Sequence, residues 1–181
     1  MQPRLPLNIH QITRMSNTPT RSRLNPAALL LAALLSWPTL VLAAPPQPGQ
    51  PLPELALKDQ HDKPWTVSAD TKLVLFAAGR KASNLMQTVL AGQPAGFLAS
   101  RQAVYLADMS RMPGFVTRTF ALPALREMPF VVGVVLDEAL LADWPRQDGA
   151  VALIAMQGGR VSAVSHATTD AQLRSALGLA P

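Results

Sequence analysis

The run KLVLFAA at residues 72–78 decides the fold, because it is almost uninterruptedly apolar and has polar residues on either side. A run of this length and pattern is typical of a strand that is covered on both faces of a sheet. Three similar runs follow it, AVYLA at 103–107, FVVGVVL at 130–136 and AVALIAM at 150–156. The sequence therefore predicts a sheet whose strands lie mostly in the interior.

Helical patterns separate the first three of these strands. Residues 82–91 carry an apolar stripe, and Ser83 or Asn84 is expected to cap the start of that helix. Residues 113–126 carry a second helical pattern, which Pro123 is expected to split into two pieces.

Two hairpins and a last helix complete the pattern. A short hairpin is predicted around a turn at 59–62, and Gly158-Gly159 predicts a tight turn after the fourth strand. The last helix is predicted at 169–177, with Thr168 or Thr169 as its cap. The order predicts an α/β three-layer fold, with a mixed central sheet of about five strands, helices on both faces and an N-terminal β-hairpin.

Residues 1–43 have the pattern of a secretory signal peptide. An arginine-containing stretch without acidic residues precedes nineteen uncharged positions at 26–44. Val41 and Ala43 suit the two positions that signal peptidases select, so we expect cleavage after Ala43 and export to the periplasm. Removing 43 of the 181 residues leaves 138. Translation can start at Met1 or at Met15 under this interpretation.

The alternative for this segment is an uncleaved membrane anchor, since about 20 apolar residues can span a bilayer. Trp37-Pro38 interrupts the run and no positive flank follows it, which favours cleavage and no stable membrane insertion afterwards. The organisation predicted is a signal peptide at 1–43, a Pro-rich extended tether at 44–53 and one domain at 54–181.

Composition excludes several classes of function. The sequence has a formal net charge of +5, but four arginines of the excess lie in the first 25 residues, and residues 44–181 hold 12 basic and 11 acidic side chains. The predicted domain therefore lacks the basic surplus of a nucleic-acid-binding protein. The sequence contains no Cys, which excludes disulfides, thiolate catalysis and iron–sulfur clusters.

The sequence LPEL at 52–55, the strand KLVLFAA and the run VALIAMQGGRV at 151–161 resemble an exported thioredoxin-like domain of the redoxin or YtfJ-like kind, over residues 52–179. In catalytic members of that superfamily, the loop after the first core strand carries a CxxC motif. The corresponding stretch here is GRKAS at 79–83, so the resemblance implies the fold without the thiols. The proline that precedes the next-to-last strand in the family is displaced here to Pro145.

Residues 94–129 are similar to a small group of exported proteobacterial proteins often labelled FAD/FMN-containing dehydrogenase. A dinucleotide site of the usual kind needs a glycine-rich turn between strand and helix, and the sequence holds no G-x-G-x-x-G. We therefore expect no bound cofactor.

The segment 108–114 is the first candidate ligand site, because ligands of open α/β sheets bind beyond the carboxyl ends of the strands. Asp108 and Arg111 are expected to orient each other, with Ser110 between them and Arg126 nearby at the end of the next helix. The alternative is that Asp108 or Ser110 only caps that helix.

Arg80 and Lys81 are the second candidate ligand site. They follow a core strand at the mouth of a helix, where two cations oppose the helix dipole and can attract an anion. The alternative is a solvated basic loop.

The sequence gives little support to metal binding, serine hydrolase activity or nucleotide binding. His61 and His166 lack partners at metal-ligand spacing, and the sequence contains neither a G-x-S-x-G elbow nor a Walker loop. We therefore expect a non-catalytic periplasmic module that binds a protein or a small ligand. The alternative is a flavin- or ligand-dependent oxidoreductase that uses Asp108 and Arg111, and a third hypothesis is an assembly role through an apolar edge.

Overall fold

A computed structural model describes residues 44–180 of the chain. The predicted signal peptide and its cleavage after Ala43 concern residues 1–43, which lie outside the described residues. Within 44–180, no helix has the length and apolar character needed to cross a bilayer.

Seven strands form one mixed sheet in the order β2-β1-β5-β4-β3-β6-β7. They are β1 (Leu57–Asp59), β2 (Pro64–Trp65), β3 (Leu73–Ala78), β4 (Ala103–Asp108), β5 (Val132–Val135), β6 (Val151–Gln157) and β7 (Arg160–Ala167). β3, β4 and β5 are parallel, while β1, β6 and β7 each pair antiparallel with a neighbour. The predicted α/β class with a mixed central sheet is confirmed, although long helices lie on one face of the sheet and not on both. The sheet has seven strands instead of about five because the N-terminal hairpin joins it through the pairing of β1 with β5.

The helical segments are α1 (Arg80–Leu90), α2 (Phe97–Ser100), α3 (Gly114–Val116), a π-helical turn (Thr117–Ala121), α4 (Leu122–Arg126), a 3₁₀ turn (Glu138–Leu141) and α5 (Asp170–Ala176). The predicted cap of α5 is confirmed, since the Thr169 hydroxyl accepts a hydrogen bond from the Gln172 N–H at 3.3 Å. The predicted cap of α1 is wrong. Gly79 precedes this helix, and no side chain caps it.

The segments α3, the π-helical turn and α4 form one continuous helix, called the α3–α4 helix below. Pro123 was expected to split it, but the irregularity lies before the proline, where the Leu122 N–H donates to the Thr117 carbonyl five residues back. A proline ring clashes with the carbonyl four residues before it in a regular α-helix. The wider π turn removes this clash, so the helix continues.

Different elements pack against the two faces of the sheet. The apolar side chains of α1, α2, α4 and α5 all pack in one core, around Leu75, Tyr105 and Val132. The opposite core contains Phe76, Trp144 and Leu141, and the rings of Phe76 and Trp144 meet edge to face at 5.2 Å. The second face is therefore covered by the 3₁₀ turn and loops instead of long helices.

Gly133 of β5 makes room for one of the two indole rings of this second core, that of Trp65. A Cβ atom at this position would lie 2.6 Å from a ring carbon of Trp65, well inside van der Waals contact. The absence of a side chain at Gly133 thus lets the indole lie flat against the sheet.

The Pro-rich lead-in packs on the domain and does not stand off it as an extended tether. The Gly49 N–H donates to the Val161 carbonyl at 2.8 Å, and the Val161 N–H donates to the Gln50 carbonyl at 2.9 Å. Pro46 is buried, and Leu52 packs against the second core. Proline lacks an N–H, so the residues between the prolines make the bonds to β7.

Candidate functional site

A cleft of about 850 Å³ opens between α1 and the α3–α4 helix, at the carboxyl ends of β3 and β4. These ends are in register, with Ala78 opposite Asp108, and the Gly79 N–H donates to the Asp108 carbonyl at 3.3 Å. Residues of α1, of the loop after β4 and of the α3–α4 helix line the cleft, among them Arg80, Ser83, Asp108, Arg111, Met112 and Phe120. Of the predicted site residues, Arg80, Asp108 and Arg111 line this cleft, whereas Lys81, Ser110 and Arg126 do not.

Asp108 is buried at the end of β4, and its carboxylate is fully engaged. One oxygen accepts from the Ser110 N–H at 3.0 Å and from the Ser110 hydroxyl at 2.6 Å. The other accepts from Nη2 and Nε of Arg146 at 2.7 and 3.0 Å. This pattern closes a turn after the strand and does not cap the following helix, whose start has no side-chain cap.

Arg146 is a site residue that the sequence analysis missed. Its Nη1 donates to the carbonyls of Leu141 and Ala142, and its guanidinium lies 5.7 Å from the centre of the Phe76 ring. It therefore ties the loop before β6 to the end of β4. Asp108 and Arg146 are 38 residues apart, and no motif in the sequence links them.

The expected pairing of Asp108 with Arg111 is wrong. Arg111 forms an exposed ion pair with Glu138, with Nη2 2.6 Å and Nε 2.7 Å from the same carboxylate oxygen. Glu138 begins the 3₁₀ turn, which the sequence did not predict, and the Asp137 side chain caps that turn. Arg111 still lines the cleft, but its charge is balanced by Glu138.

Arg80 and Lys81 lie at the first turn of α1 and have different surroundings. The Lys81 ammonium lies 2.8 Å from an Asp148 carboxylate oxygen, in the loop before β6. The hydrogen bond to Asp148 raises the pKa of Lys81, and the same bond lowers the pKa of Asp148. Arg80 lines the cleft, and no acidic side chain among residues 44–180 forms an ion pair with it.

Arg126 lies away from the other candidates. Its Nε donates to the Gln60 carbonyl at 2.8 Å, and its Nη2 lies 3.5 Å from a carboxylate oxygen of Asp62, in the turn between β1 and β2. The α3–α4 helix rises about 1.5 Å per residue, so its last residue lies about 18 Å from its first. Gln60 bonds to Phe130 and Val132 at the start of β5, so Arg126 lies near the amino end of this parallel strand, whereas Asp108 lies at the carboxyl end of β4.

Two buried hydroxyls lie beneath the α1 side of the cleft. Burial raises the pKa of Tyr105 to about 12, and the neighbouring Ser83 hydroxyl opposes part of that rise. Neither hydroxyl makes a hydrogen bond of normal geometry within residues 44–180. Buried polar groups are nearly always hydrogen-bonded, so an unpartnered pair at a cleft wall is unusual.

The opposite wall of the cleft is apolar. Val116, Phe120 and Leu125 of the α3–α4 helix line it, and Phe120 is 63% exposed. The π-helical turn lies in the middle of this wall, and such turns occur often at functional sites. Phe115 on the same helix is 66% exposed but lies outside the cleft.

Other possible sites carry less chemistry. A cavity of about 520 Å³ lies at the opposite edge of the sheet, between β2 and α2, and its lining contains none of the predicted site residues. Within residues 44–180, no three His, Asp or Glu side chains group as metal ligands would. The Nε2 atom of His166 is buried and makes no hydrogen bond within the same residues.

No protein-family model and no curated protein matches this sequence. Among solved structures, the chain is similar to the solution structure of a "putative protein disulfide isomerase" from Bacteroides thetaiotaomicron, with a TM-score of 0.52 at 14% identity over 76% of this chain and 89% of that one. A thio-disulfide isomerase from Thermus thermophilus gives a TM-score of 0.45 at 16% identity, over 75% of this chain and 99% of that one. At 14% identity the likeness to the Bacteroides structure concerns the fold alone, and it confirms the thioredoxin-like fold that the sequence resemblance implied.

Proposed function

We propose that this chain is an exported, non-redox member of the thioredoxin-like fold that binds a small ligand in the cleft between α1 and the α3–α4 helix. The observation that carries the proposal is the cleft itself, which lies beside the segment 79–83. In catalytic members of the superfamily that the sequence resembles, the corresponding segment carries the thiols. The chain has no Cys, so the fold retains a binding surface without dithiol chemistry.

The shape and lining of the cleft support a small-molecule ligand. Its volume of about 850 Å³ falls within the range of about 300–1,000 Å³ that is usual for ligand pockets. Such pockets combine apolar walls with a few polar groups. Here Phe120 and Val116 supply the apolar wall, and Arg80 and Ser83 lie on the other side.

The test uses a neutral apolar dye, N-phenyl-1-naphthylamine, whose fluorescence rises when it leaves water. We expect saturable binding, and we expect Phe120→Ala to weaken it roughly tenfold, because covering an aromatic side chain is worth about 1.5–3 kcal/mol. Phe115→Ala is the matched control, since Phe115 is equally exposed on the same helix but outside the cleft. Equal affinities of the two variants would place the dye elsewhere and overturn the proposal.

The proposed absence of dithiol redox activity is tested by a separate measurement. The purified chain should give no turnover in a thiol-dependent disulfide reduction assay above the rate of dithiothreitol alone. Turnover that increases with protein concentration would contradict a purely binding role.

Export is proposed from the sequence pattern at residues 1–43. The intact mass of protein recovered from the periplasm should correspond to a chain that begins at Ala44. A mass that retains the first 43 residues, recovered with the membrane fraction, would instead support an anchor.

A further inference from the structure

We propose that the ligand of this cleft is an organic monoanion with an aliphatic body, whose carboxylate is held by Arg80 at the first turn of α1. The inference rests on the proposed function, and it adds the chemical class of the ligand. A medium-chain carboxylic acid is the simplest compound of that class.

The charges around the cleft single out Arg80. Three other cations of this sheet edge, Lys81, Arg111 and Arg146, each have a carboxylate oxygen within 2.8 Å. Arg80 has no acidic partner among residues 44–180, although it lines the cleft. The cleft therefore offers one uncompensated positive charge, which matches a single carboxylate better than a dianion.

The backbone of α1 favours an anion at the same place. α1 has eleven residues, its first turn contains no acidic residue, and no side chain caps its amides. Uncapped N–H groups at a helix start carry partial positive charge and bind anions. Arg80 and Lys81 oppose this dipole, so their charges do not stabilise the helix by themselves.

The buried hydroxyls supply an independent observation on the same wall. Tyr105 is fully buried, its hydroxyl lies against Ser83, and neither oxygen has a hydrogen-bond partner of normal geometry in the described chain. The Oγ of Ser83 has no exposed surface in the free chain, but Ser83 lines the cleft one helical turn after Arg80. A carboxylate held by Arg80 would accept from this hydroxyl once the serine side chain rotates toward the cleft, and that rotation would change the surroundings of the Tyr105 hydroxyl.

The rest of the cleft selects an apolar body. Opposite α1, the ligand would lie against Val116 and Phe120, with Met112 at the end of the wall. Asp108 lines the cleft too, but its carboxylate is already paired with Arg146 and hydrogen-bonded to Ser110, so it adds no free negative charge. The carboxylate and the aliphatic chain of the ligand would thus bind to opposite walls of the cleft.

The experiment measures displacement of N-phenyl-1-naphthylamine by decanoate, decanol and decyltrimethylammonium, each below its micelle concentration. We expect decanoate to bind roughly tenfold more tightly than decanol and the cation to bind weakest, because hydrogen bonds to charged groups are the stronger ones. Arg80→Gln should remove the tenfold advantage of decanoate and leave decanol unchanged. Lys81→Gln is the matched control, since it removes a neighbouring charge that Asp148 already pairs.

A second readout reports on the hydroxyls. Tyr105 is the only tyrosine of the chain, so labelling tyrosine with ¹³C gives NMR signals from this ring alone. Saturating decanoate should shift these signals in the wild type, and Ser83→Ala should abolish the shift.

The possible failures are distinguishable. Equal affinities for decanoate and decanol, unaffected by Arg80→Gln but weakened by Phe120→Ala, would overturn the acid site and leave the cleft as a binding site. If no compound displaces the dye and Phe120→Ala behaves like Phe115→Ala, the proposed function fails as well.

Discussion

Two ion pairs attach the loop before β6 to the rest of the domain. Their N–O distances are nearly equal, but one pair is buried and the other is exposed to solvent. Arg146 pairs with Asp108 at 2.7 Å, with side chains 13% and 2% exposed. Two residues further on, Asp148 pairs with Lys81 at 2.8 Å, with side chains 87% and 72% exposed. The first pair joins the loop to β4, and the second joins it to α1.

The difference teaches which charges remain available for binding. A buried charge must be paired and hydrogen-bonded, because leaving it unpaired carries a large desolvation penalty. Asp108 is therefore committed to holding the loop, although it lies in the cleft. An exposed pair is weak and screened by salt, so the pair of Lys81 with Asp148 contributes little to holding the loop.

The largest effect is expected from breaking the buried pair. Arg146→Met leaves the Asp108 carboxylate buried with only Ser110 as its partner, and we expect the free energy of unfolding to fall by about 3–5 kcal/mol. Urea denaturation of the variant and the wild type measures this change.

Two controls accompany this measurement. Asp148→Asn removes the exposed pair of the same loop and should leave the unfolding midpoint unchanged. Combining Arg146→Met with Asp108→Asn should recover part of the loss, because no buried charge then lacks a partner. A loss no larger in Arg146→Met than in Asp148→Asn would contradict the difference between the pairs.

The single tyrosine shows the effect of burial on a titratable group that has no ion-pair partner. Tyr105 lies three residues before Asp108 on β4, is equally buried, and makes no hydrogen bond of normal geometry in the described chain. Burial raises its pKa to about 12, from 10.0. Absorbance at 295 nm should show this midpoint in the folded protein and a midpoint of about 10 in urea.

The raised pKa also predicts the pH dependence of stability. The folded state holds the proton of the Tyr105 hydroxyl more tightly than the unfolded state does. The stabilisation that results is complete below pH 10 and is lost as the pH rises toward 12. A shift of two units corresponds to about 3 kcal/mol. Between pH 10 and pH 12, the free energy of unfolding of Tyr105→Phe should therefore fall by about 3 kcal/mol less than that of the wild type. A midpoint near 10 in the folded protein would show that the hydroxyl reaches water.

The fold was largely predictable because its signals are local. The turn at Gly158-Gly159 needs positive φ at both residues, which are observed at 57° and 73°, and glycine adopts such values freely. The Thr169 cap likewise lies within one helical turn of its donor. A strand, a turn or a cap of this kind is specified by residues close together in the sequence.

The site was only partly predictable because its contacts are distant along the chain. Arg80, Asp108 and Arg111 do line one cleft, but the charged partners of Asp108 and Arg111 come from elsewhere in the chain. Arg146 reaches Asp108 across 38 residues, and Glu138 reaches Arg111 across 27. Which carboxylate meets which guanidinium depends on how the loops after β4 and before β6 cross the sheet edge, and local patterns do not specify that.

The smallest effect is expected from the exposed pair, and it is best measured as a titration. The hydrogen bond from Lys81 lowers the pKa of Asp148 below 3.8, with the positive charge of Lys81 acting in the same direction. A lowered pKa stabilises the folded state above the unfolded value and loses that contribution as the pH falls through the folded value. Carboxyl ¹³C NMR should therefore show the titration midpoint of Asp148 rising in Lys81→Gln, and rising in the wild type at 1 M salt, where the Debye length is about 3 Å. The unfolding midpoint at pH 7 should stay the same in both cases, because two solvated charges gain little from each other. If Lys81→Gln lowered stability as much as Arg146→Met, exposure would not be what separates the two pairs, and the loop would depend equally on both of its attachments.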